Sequence, residues 1–244
     1  MSNPRFYSAE NLTVGTIVKL SENAAIHATR ALRLSVGETI KLFNGDGFDY
    51  TCELISVKKS EVLARISASE AVENESPLKI TLLQGISSGD RMDYTIQKAV
   101  ELGVTSIQPI STERSVVKLS AERAQKRLDH WQNVVISACE QCGRARIPLV
   151  LAPKTLENWL ATNPQTNATR ILLNPIGAKR LAELAKSSQE IQLLIGAEGG
   201  LTPFEIKLAV NHGFQSIILG PRILRTETAA LTAISAMQAI WGDF

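Results

Sequence analysis

The chain has 244 residues, enough for one large domain or two small ones, and 44% hydrophobic with 20% charged residues is the balance of an ordinary globular protein. Its longest apolar runs are too short for a bilayer-spanning helix, and residues 1–10 lack the basic-then-apolar layout of a secretion leader, so the cytoplasm is the expected location, with no membrane partner. A net charge of only +2 does not announce a nucleic-acid binder and leaves any phosphate-binding surface to a local patch.

Residues 16–20, 38–43, 49–57 and 61–67 alternate apolar and polar positions with β-branched enrichment, which predicts four short strands. Asn44-Gly-Asp-Gly47 is a turn signal between two of them. One helix is predicted over residues 22–34, with Ser21 as its N-cap. Residues 71–77, acidic and small, read as a linker, so residues 1–72 form a small β-barrel domain. Arg30 and Arg33 lie three apart on the predicted helix and share a face, one turn after His27. With Arg5 they are candidates to meet phosphates through bidentate contacts, against the plainer alternative of a solvated helix face.

Beyond Pro77 the period changes, and residues 77–244 form the second predicted domain. A near-continuous apolar strand at 79–85 precedes a helix at 90–102 that Gly103 ends, then a strand at 104–110. A long helix at 121–142 carries Trp131, Val134, Val135 and Ala138 on its apolar side. Strands at 170–173, 191–195 and 215–219 then alternate with helices at 178–186, 203–212 and 226–240, the pattern of a parallel α/β sheet. Cys139 and Cys142 make a C-x-x-C late in the long helix; with no second Cys or His pair at finger spacing, they and Cys52 read as reduced thiols and no metal site is expected. Residues 1–76 hold 8 Lys+Arg against 10 Asp+Glu and residues 77–244 hold 18 against 14, a weak positive bias compatible with RNA binding.

The most informative segments lie near the C-terminus: Leu194-Ile-Gly-Ala-Glu-Gly-Gly-Leu201, and Ile218-Leu-Gly-Pro-Arg-Ile-Leu-Arg-Thr-Glu-Thr-Ala229. Each ends an apolar strand with a glycine turn and leads into a helix. Gly196, Gly199, Gly200 and Gly220 carry no Cβ, so backbone can approach a ligand closely or adopt positive φ there. Such turns suit a ligand held by main-chain groups. Neither is a phosphate loop, since no Gly-Lys-Ser/Thr follows Gly200, and neither has dinucleotide-fingerprint spacing.

The pair resembles the knotted, S-adenosylmethionine-dependent RNA methyltransferases of the SPOUT class. Within it, the chain is similar to the bacterial small subunit methyltransferase E family, which methylates N3 of a uridine in 16S ribosomal RNA. Pro4-Arg-Phe-Tyr7, the segments 27–33, 96–104 and Ala138-Cys-Glu-Gln-Cys-Gly-Arg144 extend the resemblance over nearly the whole chain. One departure is Ala197, where the family usually has proline; the change frees φ and removes no side-chain chemistry. The resemblance implies a C-terminal knotted parallel sheet with helices on both faces and an N-terminal PUA-like barrel. It also implies S-adenosylmethionine as methyl donor, 16S ribosomal RNA or the small subunit as partner, and a homodimer. The implied cofactor loops carry over to Leu173-Asn174-Pro175, residues 196–200 and residues 219–226. Leu219 and Leu224 would sandwich the adenine, with Gly220 and Thr226 in the same loop.

Methylation at uridine N3 demands loss of the N3 proton and stabilisation of charge developing on O2 or O4 of the base. Arg225, directly after the second loop, and Glu198, inside the first, are the catalytic candidates. The competing reading of Arg225 is a salt bridge with Glu227 or Glu198, or a helix-end contact; that of Glu198 is a carboxylate accepting backbone N–H bonds within a tight loop. Arg222, beside Pro221, is a candidate phosphate contact. Two rival functions share these features: a SPOUT enzyme with another RNA target, and a non-catalytic RNA-binding assembly factor.

Overall fold

The computed structural model describes residues 3–58, 61–115, 121–164, 167–174, 179–185 and 188–244. The chain divides into two compact units, Met1–Glu75 with Cys139–Ile147, and Ser76–Ala138 with Pro148–Phe244.

In the first unit, β1 (Arg5–Tyr7), β2 (Ile17–Lys19), β3 (Thr39–Phe43), β4 (Phe48–Lys58) and β5 (Glu61–Ala71) form one sheet in the order β1-β3-β4-β5-β2. All neighbours are antiparallel except β1 and β3. Alternation sends Ile40 and Leu42, Cys52 and Leu54, and Val62, Ala64 and Ile66 into a shared core. Register shifts in β4, at Thr51/Cys52 and Leu54/Ser56, bend the sheet around that core. The predicted turn joins β3 to β4, with Gly45 and Gly47 both at φ +98°.

The predicted helix over residues 22–34 is only partly present. Ser21 caps α1 (Glu22–Ile26), but a π-turn at His27–Ala31 follows, and Arg33 lies beyond it at φ +55°. Bonds from Leu32 N to His27 O and from Leu34 N to Ala28 O span five and six residues, unwinding the helix end. Arg30 and Arg33 therefore do not share a helical face. Arg5, the third candidate phosphate contact, is turned inward, with its side chain 10% exposed. Its guanidinium pairs with Asp49 at 2.6 Å, donates to Cys139 O at 2.7 Å and stacks on the Phe43 ring.

The motif at residues 138–144 acquires a structural role from the same unit. Glu140 accepts a hydrogen bond from Tyr7 N at 2.9 Å, and Arg144 Nε donates to Glu75 at 3.0 Å. Cys139 and Cys142 are free thiols. Burial pushes the Cys139 thiol up to about 12, so it is inert as a nucleophile.

In the second unit, β6 (Lys79–Gly85), β7 (Ser106–Ser111), β8 (Leu149–Val150), β9 (Lys154–Thr155), β10 (Thr169–Leu173), β11 (Lys179–Arg180), β12 (Glu190–Ile195) and β13 (Gln215–Ile218) are all parallel. Their order is β11-β13-β10-β12-β6-β7-β8, with β9 also on β7. The helices are α2 (Gly89–Glu101), α3 (Ala121–Cys142, of which residues 139–142 belong to the first unit), α4 (Leu156–Thr162), α5 (Pro203–Asn211) and α6 (Thr226–Trp241). Leu83, Leu172 and Leu194 pack with Leu156, Trp159 and Leu160 of α4 and Ala209 of α5. Gln84, the next residue of β6, points the other way and donates to Thr226 at the start of α6. Gln238 of α6 in turn donates to Leu102 O at the end of α2. Helices thus cover both faces, as the resemblance implied.

The predicted helix at 178–186 is not formed among the described residues; Ala178 and Lys186 lie outside them. Lys179 and Arg180 pair as an edge strand with Ile217 and Ile218, and Leu181–Glu183 makes one 3₁₀ turn. Strand pairing there satisfies backbone groups that a helix would have bonded internally. No helix of the described residues is long and apolar enough to cross a membrane.

Candidate active site

β10 lies between β13 and β12, so the three strands end side by side. A cavity of about 500 Å³ opens beyond their carboxyl ends, the usual ligand position in an open parallel sheet. Leu173 and Asn174 line it from the end of β10 and just beyond; Gly196, Glu198, Gly199 and Gly200 from the loop after β12; Leu219, Gly220, Arg222, Leu224 and Arg225 from the loop after β13, and Thr226 from the start of α6. The structure therefore brings together twelve of the sequence-predicted residues. Pro175 is outside the described residues, and Arg5, Arg30 and Arg33 belong to the other unit.

The first loop is shaped by absent side chains. Gly200 turns at φ +68° and donates to Ala197 O at 2.8 Å, closing a tight turn that L-residues disfavour. A Cβ on Gly196 would lie 2.9 Å from Gly200 C, so the loop folds directly onto itself. Beyond the turn, Thr202 and Glu205 form a reciprocal cap on α5, with Pro203 in its first turn. Thr226 joins the two glycine loops: its hydroxyl donates to Gly196 O at 2.6 Å and accepts from Gln84 Nε2 at 2.9 Å.

Glu198 is held from outside its loop. Its Oε1 accepts from Ser88 N (2.9 Å), Ser88 Oγ (3.1 Å) and Arg91 Nη1 (3.3 Å). Burial raises its pKa, but the bonds from Ser88, its own backbone and Arg91 outweigh that, and the carboxyl sits below the usual carboxylate range. A carboxylate held by these bonds anchors the loop, the structural role that competes with a catalytic one for Glu198. Arg225 stands immediately before α6 with extended backbone and is exposed. Among the described residues it forms no ion pair with Glu227 or Glu198; the pair of Glu198 is with Arg91.

Four contributors escaped the sequence reading: Gly85, Ser88, Arg91 and Arg114. A Cβ on Gly85 would lie 2.2 Å from Ala197 N, so the end of β6 packs backbone to backbone against the glycine loop. Arg91 and Arg114 both line the cavity, and Arg114 Nη1 donates to Gly199 O at 3.2 Å. Gly85 did carry a signal, as a third glycine ending an apolar strand; the other three carried none.

Aliphatic side chains such as Leu219, Leu224 and Ile217, set among glycine main chain, suit a flat nucleoside whose edge is read by backbone groups. The family models set the class, an RNA methyltransferase, and the arginines at the cavity and the helices over both faces of a parallel sheet agree with it. Residues 74–238 match the RNA methyltransferase domain, and residues 20–67 the RNA methyltransferase PUA domain. The chain belongs to the ribosomal RNA small subunit methyltransferase E family. It is 35% identical over 240 residues to the member from Buchnera aphidicola subsp. Schizaphis graminum, covering 98% of this chain and 97% of that protein. The Neisseria gonorrhoeae member, crystallised bound to S-adenosylmethionine, is 47% identical with a TM-score of 0.92 over 100% of both chains. A Legionella pneumophila methyltransferase with bound S-adenosylmethionine is 40% identical with a TM-score of 0.95, again over 100% of both.

Proposed function

We propose that this protein transfers the methyl group of S-adenosylmethionine to N3 of a uridine in 16S ribosomal RNA, in the cytoplasm and as a homodimer. The observation that carries the reading is the cavity at the ends of β10, β12 and β13, built from two glycine loops and edged by Arg225. Its aliphatic and main-chain lining fits the donor's adenosine. When bound, S-adenosylmethionine supplies an electrophilic methyl group on a positively charged sulfur. Leu219 and Leu224 would hold the adenine, while Gly196, Gly199, Gly200 and Gly220 let main chain approach it.

The protein's own contribution to the chemistry is orientation and charge. Loss of the N3 proton leaves negative charge shared with O2 and O4 of the base. Arg225, exposed and without a carboxylate partner among the described residues, offers guanidinium donors to that charge. Thr226 fixes the two loops relative to each other, and Glu198 anchors the first through Ser88 and Arg91. A symmetric pair would use one surface of each subunit; exposed Ile240 and Phe244, at and beyond the end of α6, suit such a face.

Mass mapping of methylated nucleotides in ribosomal RNA from a deletion strain, with and without the restored gene, tests the reaction. A methylated uridine in 16S RNA should vanish and return; modification of another RNA or another base would overturn the substrate. Light scattering should give twice the chain mass, and a fully active monomer would overturn the dimer.

A further inference from the structure

We infer that Arg91 and Arg114, together with Arg222, form a phosphate-binding rim by which the second unit grips the RNA backbone beside the target nucleotide. The inference rests on the RNA methyltransferase reading of the cavity and adds two residues to it. Among the described residues, four arginines line the cavity against two carboxylates, Glu198 and Glu227, an excess of two positive charges in a chain whose net charge is only +2. They come from three separate segments: the start of α2, the loop after β7, and the loop before α6. Positive charge is therefore concentrated at this one opening by tertiary structure.

Arg114 is held in place more firmly than an incidental surface residue. Thr112 N and Thr112 Oγ1 are bonded to Ser115 Oγ, and Ser115 N donates to Thr112 O, with both side chains buried. Glu113 N donates at 2.9 Å to Glu205, itself 2% exposed. A Cβ on Gly199 would lie 2.8 Å from Arg114 Cβ, so the turn is seated against the glycine loop. The turn thus presents an exposed guanidinium, of whose five donors one is spent on Gly199 O. Arg91 spends one on Glu198 and keeps its side chain 46% exposed. Exposed, fixed guanidiniums with donors to spare suit bidentate contact with phosphate.

The test uses the full-length protein and small ribosomal subunits from a strain lacking this enzyme. Wild-type protein is first shown to bind S-adenosylmethionine and methylate these subunits; failure there refutes the functional reading itself. Subunit binding is then titrated at several salt concentrations for R91Q/R114Q, beside calorimetry with S-adenosylmethionine. The double variant should bind subunits at least about tenfold more weakly, with a salt slope shallower by about 1.4, since each single-strand phosphate contact contributes about 0.7. Circular dichroism matching wild type certifies the fold, and subunit titrations run in saturating S-adenosylmethionine keep any loosening of the glycine loop out of the comparison. R114K should recover much of the salt dependence, because lysine keeps the point charge. Unchanged subunit affinity and slope would overturn the inference, as would a loss of cofactor affinity alone, which would make both arginines props of the glycine loop.

Discussion

Gly85→Ala perturbs the cavity while leaving every lining side chain unchanged. The new Cβ would lie 2.2 Å from Ala197 N and 2.6 Å from Gly196 C, where ordinary contact begins at 3.4 Å. Both neighbours are main chain, so no rotamer change relieves the clash. β6 cannot retreat freely, because Gly85 pairs with Ile110 of β7 and Ile86 N is bonded to Ile110 O. The glycine loop must therefore shift by roughly 1 Å, against the bonds from Thr226 to Gly196 O and from Ser88 to Glu198. Overpacking of this kind costs about 1–3 kcal/mol. At about 2–4 °C per kcal/mol for a protein of this size, Tm should fall by roughly 2–12 °C. The displaced loop should also lose at least about tenfold in S-adenosylmethionine affinity, or about 1.4 kcal/mol. Calorimetric titration and thermal melts read both quantities. A variant that melts and binds like wild type would show that the loop does not depend on this contact.

Further outcomes follow from the same geometry. Gly200→Val meets open space, so its penalty comes from the left-handed φ of +68° and from branching beside the cavity; calorimetry should show cofactor affinity lowered at least about tenfold with little change in circular dichroism. Arg225→Ala should slow single-turnover methyl transfer by about 10²–10³ while RNA affinity changes little; the reverse pattern would make Arg225 a docking residue. Glu198→Gln should cost far less than the roughly 10²–10⁴ expected of a general base. Its lowered pKa keeps Glu198 ionised throughout the neutral range, so the pH–rate profile should not move either. Arg5→Ala should act on stability: the Asp49 side chain, 7% exposed, would keep only Lys41 at 3.3 Å among the described residues, and a loss of about 3 kcal/mol should appear as a lower melting temperature.

Local chemistry was enough for much of this protein. Strands at 79–85, 191–195 and 215–218, the helix ended by Gly103 and the capped helix from Pro203 follow from apolar runs, caps and glycine ends, which act over a few residues. The two glycine loops were legible for the same reason, and motif order pointed to the family. Threading of the chain into a knot has no periodicity and came only with the resemblance. Strand adjacency belongs to tertiary structure: β10 lies between β12 and β13, and that placement merges three distant loops into one cavity. Packing also overrode local signals, drawing residues 179–180 onto β13, unwinding the helix before Arg33, and turning Arg5 inward onto Asp49. Arg91 and Arg114 reach the first loop across 107 and 85 residues of sequence. Such contacts are made by surfaces that meet only after the sheet has formed, so no local pattern in the chain encodes them.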